Sequence, residues 1–269
     1  MSNLEELNPS QHKPGEIAVS VQNLGLIYKT TLDKKATLPT RLKSLGKGRK
    51  QTRIINALNG VNLDIDYGSV LGVVGANGAG KSTLMRVISG ILPPTTGKVE
   101  VYGRVSTLLA LGIGFNPKLT GRENVLLGGL AAGLSRKQID EHFEEIADFA
   151  ELGDAIDAPM RTYSSGMFAR LGFSVAVTVK PDILIVDEAL STGDARFKEK
   201  SLNKLKELRG DNRALILVSH ALGTIREICN EVAWLDKGKL IEGGNPNDVV
   251  DAYQDFLAVG KSAIINEDV

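Results

Sequence analysis

The sequence predicts an α/β fold in which helices cover both faces of a mostly parallel sheet. Three observations carry that prediction. The apolar run Val70-Leu71-Gly72-Val73-Val74 has the make-up of a buried strand and passes through a glycine-rich loop into a helical pattern. Two further uncharged runs, Ile183 to Val186 and Ala214 to Val218, read as strands buried on both faces. Strand and helix patterns alternate along the chain, which suits a sheet with helices on either side. With 269 residues the chain can bury a full core in one large or two small domains.

Residues 1–15 are polar, with Pro9, Pro14 and Gly15, and are expected to form a flexible tail. Ile17 to Val21 reads as a strand, and Val61 to Ile65 alternates like a half-buried one. The helix that opens near Lys81 ends near Gly90, and Pro93-Pro94 prevents its continuation. Lys98 to Tyr102 and Val105 to Leu109 read as strands separated by Gly103-Arg104. Between Gly112 and Pro181 the pattern turns helical. Arg122 to Gly133 is one helix. Ser135 and Gln138 have capping-box spacing, and Ile139, Phe143, Ile146 and Ala150 line one face of a second helix that Gly153 closes. Ser164-Ser165-Gly166 opens a third, Met167 to Val179, which Pro181 stops. Glu231 to Asp236 and Lys239 to Glu242 read as a hairpin turning at Lys237-Gly238, with a helix from Asp248 to Leu257 and a loose end after it. The expected organisation is one domain over 16–258, with a helical part at about 112–180 and a flexible tail at 259–269.

The formal net charge is zero, so no overall field argues for nucleic acid or a membrane surface. The lone cysteine, Cys229, excludes a disulfide framework and reads as a buried structural thiol. Met1 to Glu6 shows no basic and apolar leader pattern, and the longest uncharged apolar run, Val125 to Leu134, falls well short of the ~18 residues that span a bilayer. One segment stands apart. Lys29 to Arg53 holds nine basic residues against the single acid Asp33. It reads either as a solvated loop or as a surface facing anionic headgroups or a membrane partner.

The spacing Gly75-x₄-Gly80-Lys81-Ser82 between strand and helix is the P-loop. Its glycines let backbone N–H groups converge on an anion, and the helix N-terminus behind them adds a positive dipole end. Lys81 can reach the outer phosphates of a nucleotide, and the Ser82 hydroxyl can ligate Mg²⁺. Ile183 to Glu188 is an apolar strand ending in two acids, placed where doubly wound sheets bind ligands. Asp187 can hold Mg²⁺ as the Walker-B acid, and Glu188 can serve as general base toward water. His220 comes just after another strand at the same edge and could reach the γ-phosphate.

These residues resemble an ABC-type ATPase over roughly 17–245. Tyr163-Ser164-Ser165-Gly166-Met167 is similar to the ABC signature, usually Leu-Ser-Gly-Gly-Gln, at its serine and last glycine. Its departures, and the Gly114 to Asn124 stretch, resemble the subfamily that exports lipid-linked polysaccharides: O-antigen, capsule, teichoic acid and galactan. The fold so implied is a P-loop NTPase with a RecA-like, mostly parallel core, an antiparallel β part and an inserted helical subdomain. The resemblance implies ATP and Mg²⁺ as cofactors. Tyr28 would stack on adenine, and Gly75, Ala76, Asn77, Gly78, Ala79, Gly80, Lys81, Ser82 and Thr83 would wrap the phosphates. Ser164, Ser165 and Gly166 would meet ATP held by a second copy of the chain, with Asp194 in the D-loop and His220 as the switch histidine. The usual Q-loop glutamine is replaced: no Gln lies between Gln51 and Gln138, and Ala110 or Leu111 takes its place by spacing.

The resemblance also implies a function: an ATP-hydrolysing subunit of a polysaccharide exporter, peripheral on the cytoplasmic face of the bacterial inner membrane. Its expected partners are a second copy in a head-to-tail ATP sandwich, a polytopic ABC-2 type permease and, through it, the lipid-linked polymer, with no nucleic acid. Some members of the subfamily carry a C-terminal sugar-binding domain, for which this sequence is too short, so substrate selection is expected mainly elsewhere. The rival readings are an ATPase of another export system and a soluble ABC protein acting on ribosomes or DNA.

Overall fold

The computed structural model describes residues 13–32, 51–107, 115–178, 180–187 and 194–267. In a three-stranded antiparallel sheet, β1 (Ile17–Leu32) lies between β2 (Gln51–Asp66) and β4 (Thr96–Val101). The larger, six-stranded sheet has the order β5 (Val105–Thr107), β6 (Ile183–Asp187), β7 (Ala214–Val218), β3 (Val70–Val74), β8 (Glu231–Asp236) and β9 (Lys239–Gly244). All its pairings are parallel except that of β9 with β8.

The uncharged runs are strands with both faces covered. Ile183 and Ile185 of β6 enter the core that contains α1 (Lys81–Ile88), which lies between the two sheets. Leu184 and Val186 enter the opposite core with α4 (Ser165–Thr178), α5 (Ala195–Gly210), α6 (Leu222–Ile228) and α7 (Pro246–Glu267). None of the four is more than 1 % exposed, and burying a side chain of this size contributes roughly 1.5–3 kcal/mol. A third core joins α2 (Gly121–Ala131) and α3 (Arg136–Ala150) to α4 through Val125, Ile139, Ile146 and Leu171. Both α2 and α3 begin with a capping box, Thr120 with Glu123 and Ser135 with Gln138.

The α/β class and the hairpin turning at Lys237-Gly238 stand as predicted. Four features differ. Strands β1 and β2 are far longer than their cores of alternation, because they pair with each other as far as Leu32 and Gln51. α3 closes at Glu151, which takes the left-handed conformation, and Gly153 instead begins a short 3-10 turn. α7 stays helical to Glu267, so the residues expected as a loose end continue the helix. α5 and α6 escape the sequence pattern: α5 buries only Phe197, Ser201, Leu205 and Leu208 beneath a charged surface, and α6 has two turns. Most of the expected tail at 1–15, namely 1–12, and most of the basic segment, 33–50, lie outside the described residues.

Cys229 packs against Gly72 of β3, where an added Cβ would stand 3.0 Å from its sulfur. Burial pushes its thiol up to about 12. The thiolate form is therefore favoured only in the unfolded chain, and this contribution to stability is full below the unfolded thiol's pKa and fades as pH rises toward 12. Iodoacetamide at neutral to mildly alkaline pH should leave the native chain unlabelled and label it once unfolded; rapid labelling of native protein would contradict this burial.

Candidate functional site

At Val74 the chain leaves β3 and turns through Gly75 to Gly80 into α1. Gly75 and Gly80 have φ of 146° and 109°, a region that favours glycine. Space requires glycine as well: a Cβ on Gly75 would run into the Leu235 carbonyl oxygen, and one on Gly80 would lie 2.8 Å from that of Ala57. The loop is tied internally by Ala79 N donating to Ala76 O at 3.1 Å, and from behind by Gly238 N donating to Ala79 O at 2.8 Å. The β8–β9 turn thus buttresses the loop. Lys81 is only 7 % exposed. Its Nζ donates to the carbonyls of Gly75 at 2.7 Å and Ala76 at 3.1 Å. The first helical bond of α1 runs from Leu84 N to Gly80 O, so the amides of Lys81, Ser82 and Thr83 point out of the helix start. Together with the nearby ammonium they make an anion site.

Sheet order brings the other groups to it. β7 lies between β6 and β3, with Asp187 in register with Val218 and Val218 with Val73. A cavity of about 370 Å³ is lined by Asn77 to Thr83, Asp187 and His220, and by Tyr28, Ile55, Asn56 and Ala57 of the antiparallel sheet. Tyr28 and Ile55 are directly paired across β1 and β2, so their side chains share one face. Gly75 and Ala76 stand behind this lining and hold Lys81. Glu188 lies outside the described residues.

Ser164, Ser165, Gly166 and Asp194 do not line this cavity. Ser164 caps α4, its Oγ accepting from Met167 N at 3.2 Å. Ser164 and Ser165 are exposed, and a Cβ on Gly166 would meet nothing nearer than Ser164 Oγ at 3.8 Å. This helix start faces open space. Tyr163 is anchored the other way, its hydroxyl donating to Ala155 O at 2.6 Å. Asp194 caps α5, with Oδ1 accepting from Phe197 N at 2.8 Å. That amide, and then the nearby Arg170, hold its carboxyl below the usual carboxylate range.

The loop before α2 is held by one buried amide. Asn124 is 0 % exposed, accepts from Asn116 N at 2.6 Å and donates to Asn116 O at 3.0 Å and Thr120 O at 2.7 Å. Phe115, in the same loop, meets Phe168 of α4 edge to face at 5.6 Å. Asn124→Ala leaves the Asn116 amide without its acceptor and should cost about 2 kcal/mol in denaturant unfolding. An unchanged unfolding midpoint would contradict this role.

Residues 58–191 match the family described as ABC transporter. The O-antigen export system ATP-binding protein RfbB of Klebsiella pneumoniae is 40 % identical over 220 residues, 82 % of this chain and 88 % of that protein. The chain belongs to the ABC transporter ATP-binding family. The RfbB O-antigen export ATP-binding protein of Myxococcus xanthus is 44 % identical over 80 % of this chain. The teichoic acids export ATP-binding protein TagH of Shouchella clausii is 40 % identical over 87 % of it. The chain spans 50 % and 64 % of the lengths of these two relatives. Solved structures share the fold. An ATP-binding subunit of an ABC transporter superposes with a TM-score of 0.70 at 20 % identity, covering 88 % of this chain and 93 % of its own. A dimeric ATP-binding cassette in a post-hydrolysis state with ADP and Pi gives 0.69 at 22 %, covering 85 % and 98 %.

The ABC cassette binds ATP, and the donors around this cavity fit a nucleotide bound with Mg²⁺. Among the described residues no group of three or more His, Cys, Asp and Glu is placed to hold a metal. A hydroxyl and one carboxylate, Ser82 and Asp187, suit an ion that takes its remaining oxygens from phosphates and water. Ile55 was not legible in the sequence, because only the register of β1 with β2 sets it opposite Tyr28. No helix among the described residues is long and apolar enough to cross a membrane.

Proposed function

We propose that this chain is the ATP-hydrolysing subunit of an exporter for a lipid-linked polysaccharide of the O-antigen or teichoic acid kind. It works on the cytoplasmic face of the cell membrane beside a polytopic ABC-2 type permease. One observation carries the ATPase reading: a single cavity gathers the P-loop, Asp187, His220 and Tyr28, while Ser164 and Ser165 are exposed outside it. The names of the relatives, O-antigen and teichoic acid export, support the substrate class.

In this reading Tyr28 stacks on adenine with Ile55 beside it. The amides from Gly75 to Thr83 hold the phosphates, and Lys81 moves its donors from the Gly75 and Ala76 carbonyls to the outer phosphate oxygens. Ser82 and Asp187 would hold Mg²⁺, which would supply positive charge against the outer phosphates. Glu188 takes a proton from water as its oxygen attacks the γ-phosphorus; the bond to the bridging oxygen breaks, and ADP leaves. His220 donates to a γ-phosphate oxygen. Ser164, Ser165 and Gly166 of a second copy close over the γ-phosphate, with Asp194 at the contact between copies. Closing and opening of the pair moves the permease.

Cells producing only a Lys81→Ala chain should retain lipid-linked polymer inside, and the tagged wild-type chain should co-purify with a polytopic membrane protein. Normal surface polymer, with ribosomal RNA or DNA in the purified material, would overturn the reading.

A further inference from the structure

The end of α3 is unusual for its sequence. Its C-cap is Glu151 at φ 51° and ψ 45°, a left-handed position that glycine commonly fills. The side chain has more to do than cap. Glu151 Oε2 accepts from Arg170 Nη2 at 2.8 Å, and Oε1 from Lys200 Nζ at 2.9 Å. Arg196 Nη2 lies 3.7 Å from the same carboxylate. With Lys200 foremost, these cations hold the carboxyl below the usual carboxylate range.

Each partner leads to an element of the proposed contact between copies. Arg170 lies on α4, whose first turn carries Ser165 and Gly166 behind the capping Ser164. Its other nitrogen, Nη1, is 3.8 Å from Asp194 Oδ2, and its guanidinium sits over the Phe197 ring at 4.9 Å. Lys200, on α5, also donates to the Phe149 carbonyl at 3.1 Å, one of the last of α3. One carboxylate thus joins the end of α3, the helix behind Ser164 and the helix capped by Asp194. Isolated surface pairs contribute little, but a half-buried network that includes a planar guanidinium fixes geometry.

We infer that Glu151 is a positioning residue: through Arg170 and Lys200 it sets the distance between Ser164–Gly166 and Asp194, so that both meet the second copy together. This rests on the two-chain reading above. The cluster shares no residue with the cavity lining, so ATP binding by a single chain does not depend on it. Completion of the closed site does, and small misplacements there are costly.

The test uses the purified full chain. Glu151→Gly keeps the left-handed backbone at ease and removes the side chain with its carboxylate. A capping role alone would leave it as active as wild type. As a positioning residue, its loss should leave thermal unfolding and the affinity for a fluorescent ATP analogue near wild type while kcat falls about tenfold. Glu151→Gln, which keeps the length but not the charge, should show the same split, and it carries the test alone if Glu151→Gly does not fold. Turnover within about twofold of wild type in a folded variant, or nucleotide affinity falling in step with turnover, overturns the inference. A wild-type chain that hydrolyses no ATP would fault the proposed function instead.

Discussion

Lys81→Ala is expected to weaken ATP binding about a hundredfold or more and to take hydrolysis to background. The ammonium is buried and held by two carbonyls of its own loop, Gly75 and Ala76. Its loss removes the one lysine that lines the cavity among the described residues. It also frees the loop carbonyls it holds, so the backbone cradle loses both charge and shape. Equilibrium titration with a fluorescent ATP analogue checks the first effect and phosphate release the second. An affinity within a few fold of wild type would show that the anion site works without its lysine.

Glu188→Gln should behave differently. Binding should persist, and the rate of phosphate release should drop by about a hundredfold to ten-thousandfold, because the amide cannot take a proton from water. Slowed hydrolysis should also trap the closed pair, so this variant should elute as a dimer with ATP and Mg²⁺ where the wild type dissociates. A wild-type rate of release would remove Glu188 from the base role. The contrast between the variants is informative in itself, since one loses binding and the other only turnover.

Much of this site was legible because its signals are local. The P-loop is a run of consecutive residues, and Asp187 and His220 each stand at the end of an uncharged strand. Parallel sheet order then had to bring three strand ends together, which the class of fold already implies. The features hidden in the sequence depend on distant partners. Glu151 reads as an ordinary helical glutamate until Arg170 and Lys200, 19 and 49 residues on, close around it. Ile55 gains meaning only from its pairing with Tyr28. Asn124 reads as a polar residue in the first turn of a helix, yet it is fully buried and holds the loop before that helix. Inside α7, Tyr253 and Phe256 pack on Trp234 at 5.5 and 5.2 Å, a contact with β8 that periodicity alone does not show.

In the proposed function a complete catalytic site takes two chains, since Ser164 to Gly166 lie apart from the cavity of their own chain. The most direct measurement is the ATP hydrolysis rate per chain across a dilution series, with the state of association followed by sedimentation in the same buffer. A site shared between two chains predicts a rate per chain that climbs with concentration and levels off as pairs form. A full rate at dilutions where only single chains sediment would contradict it.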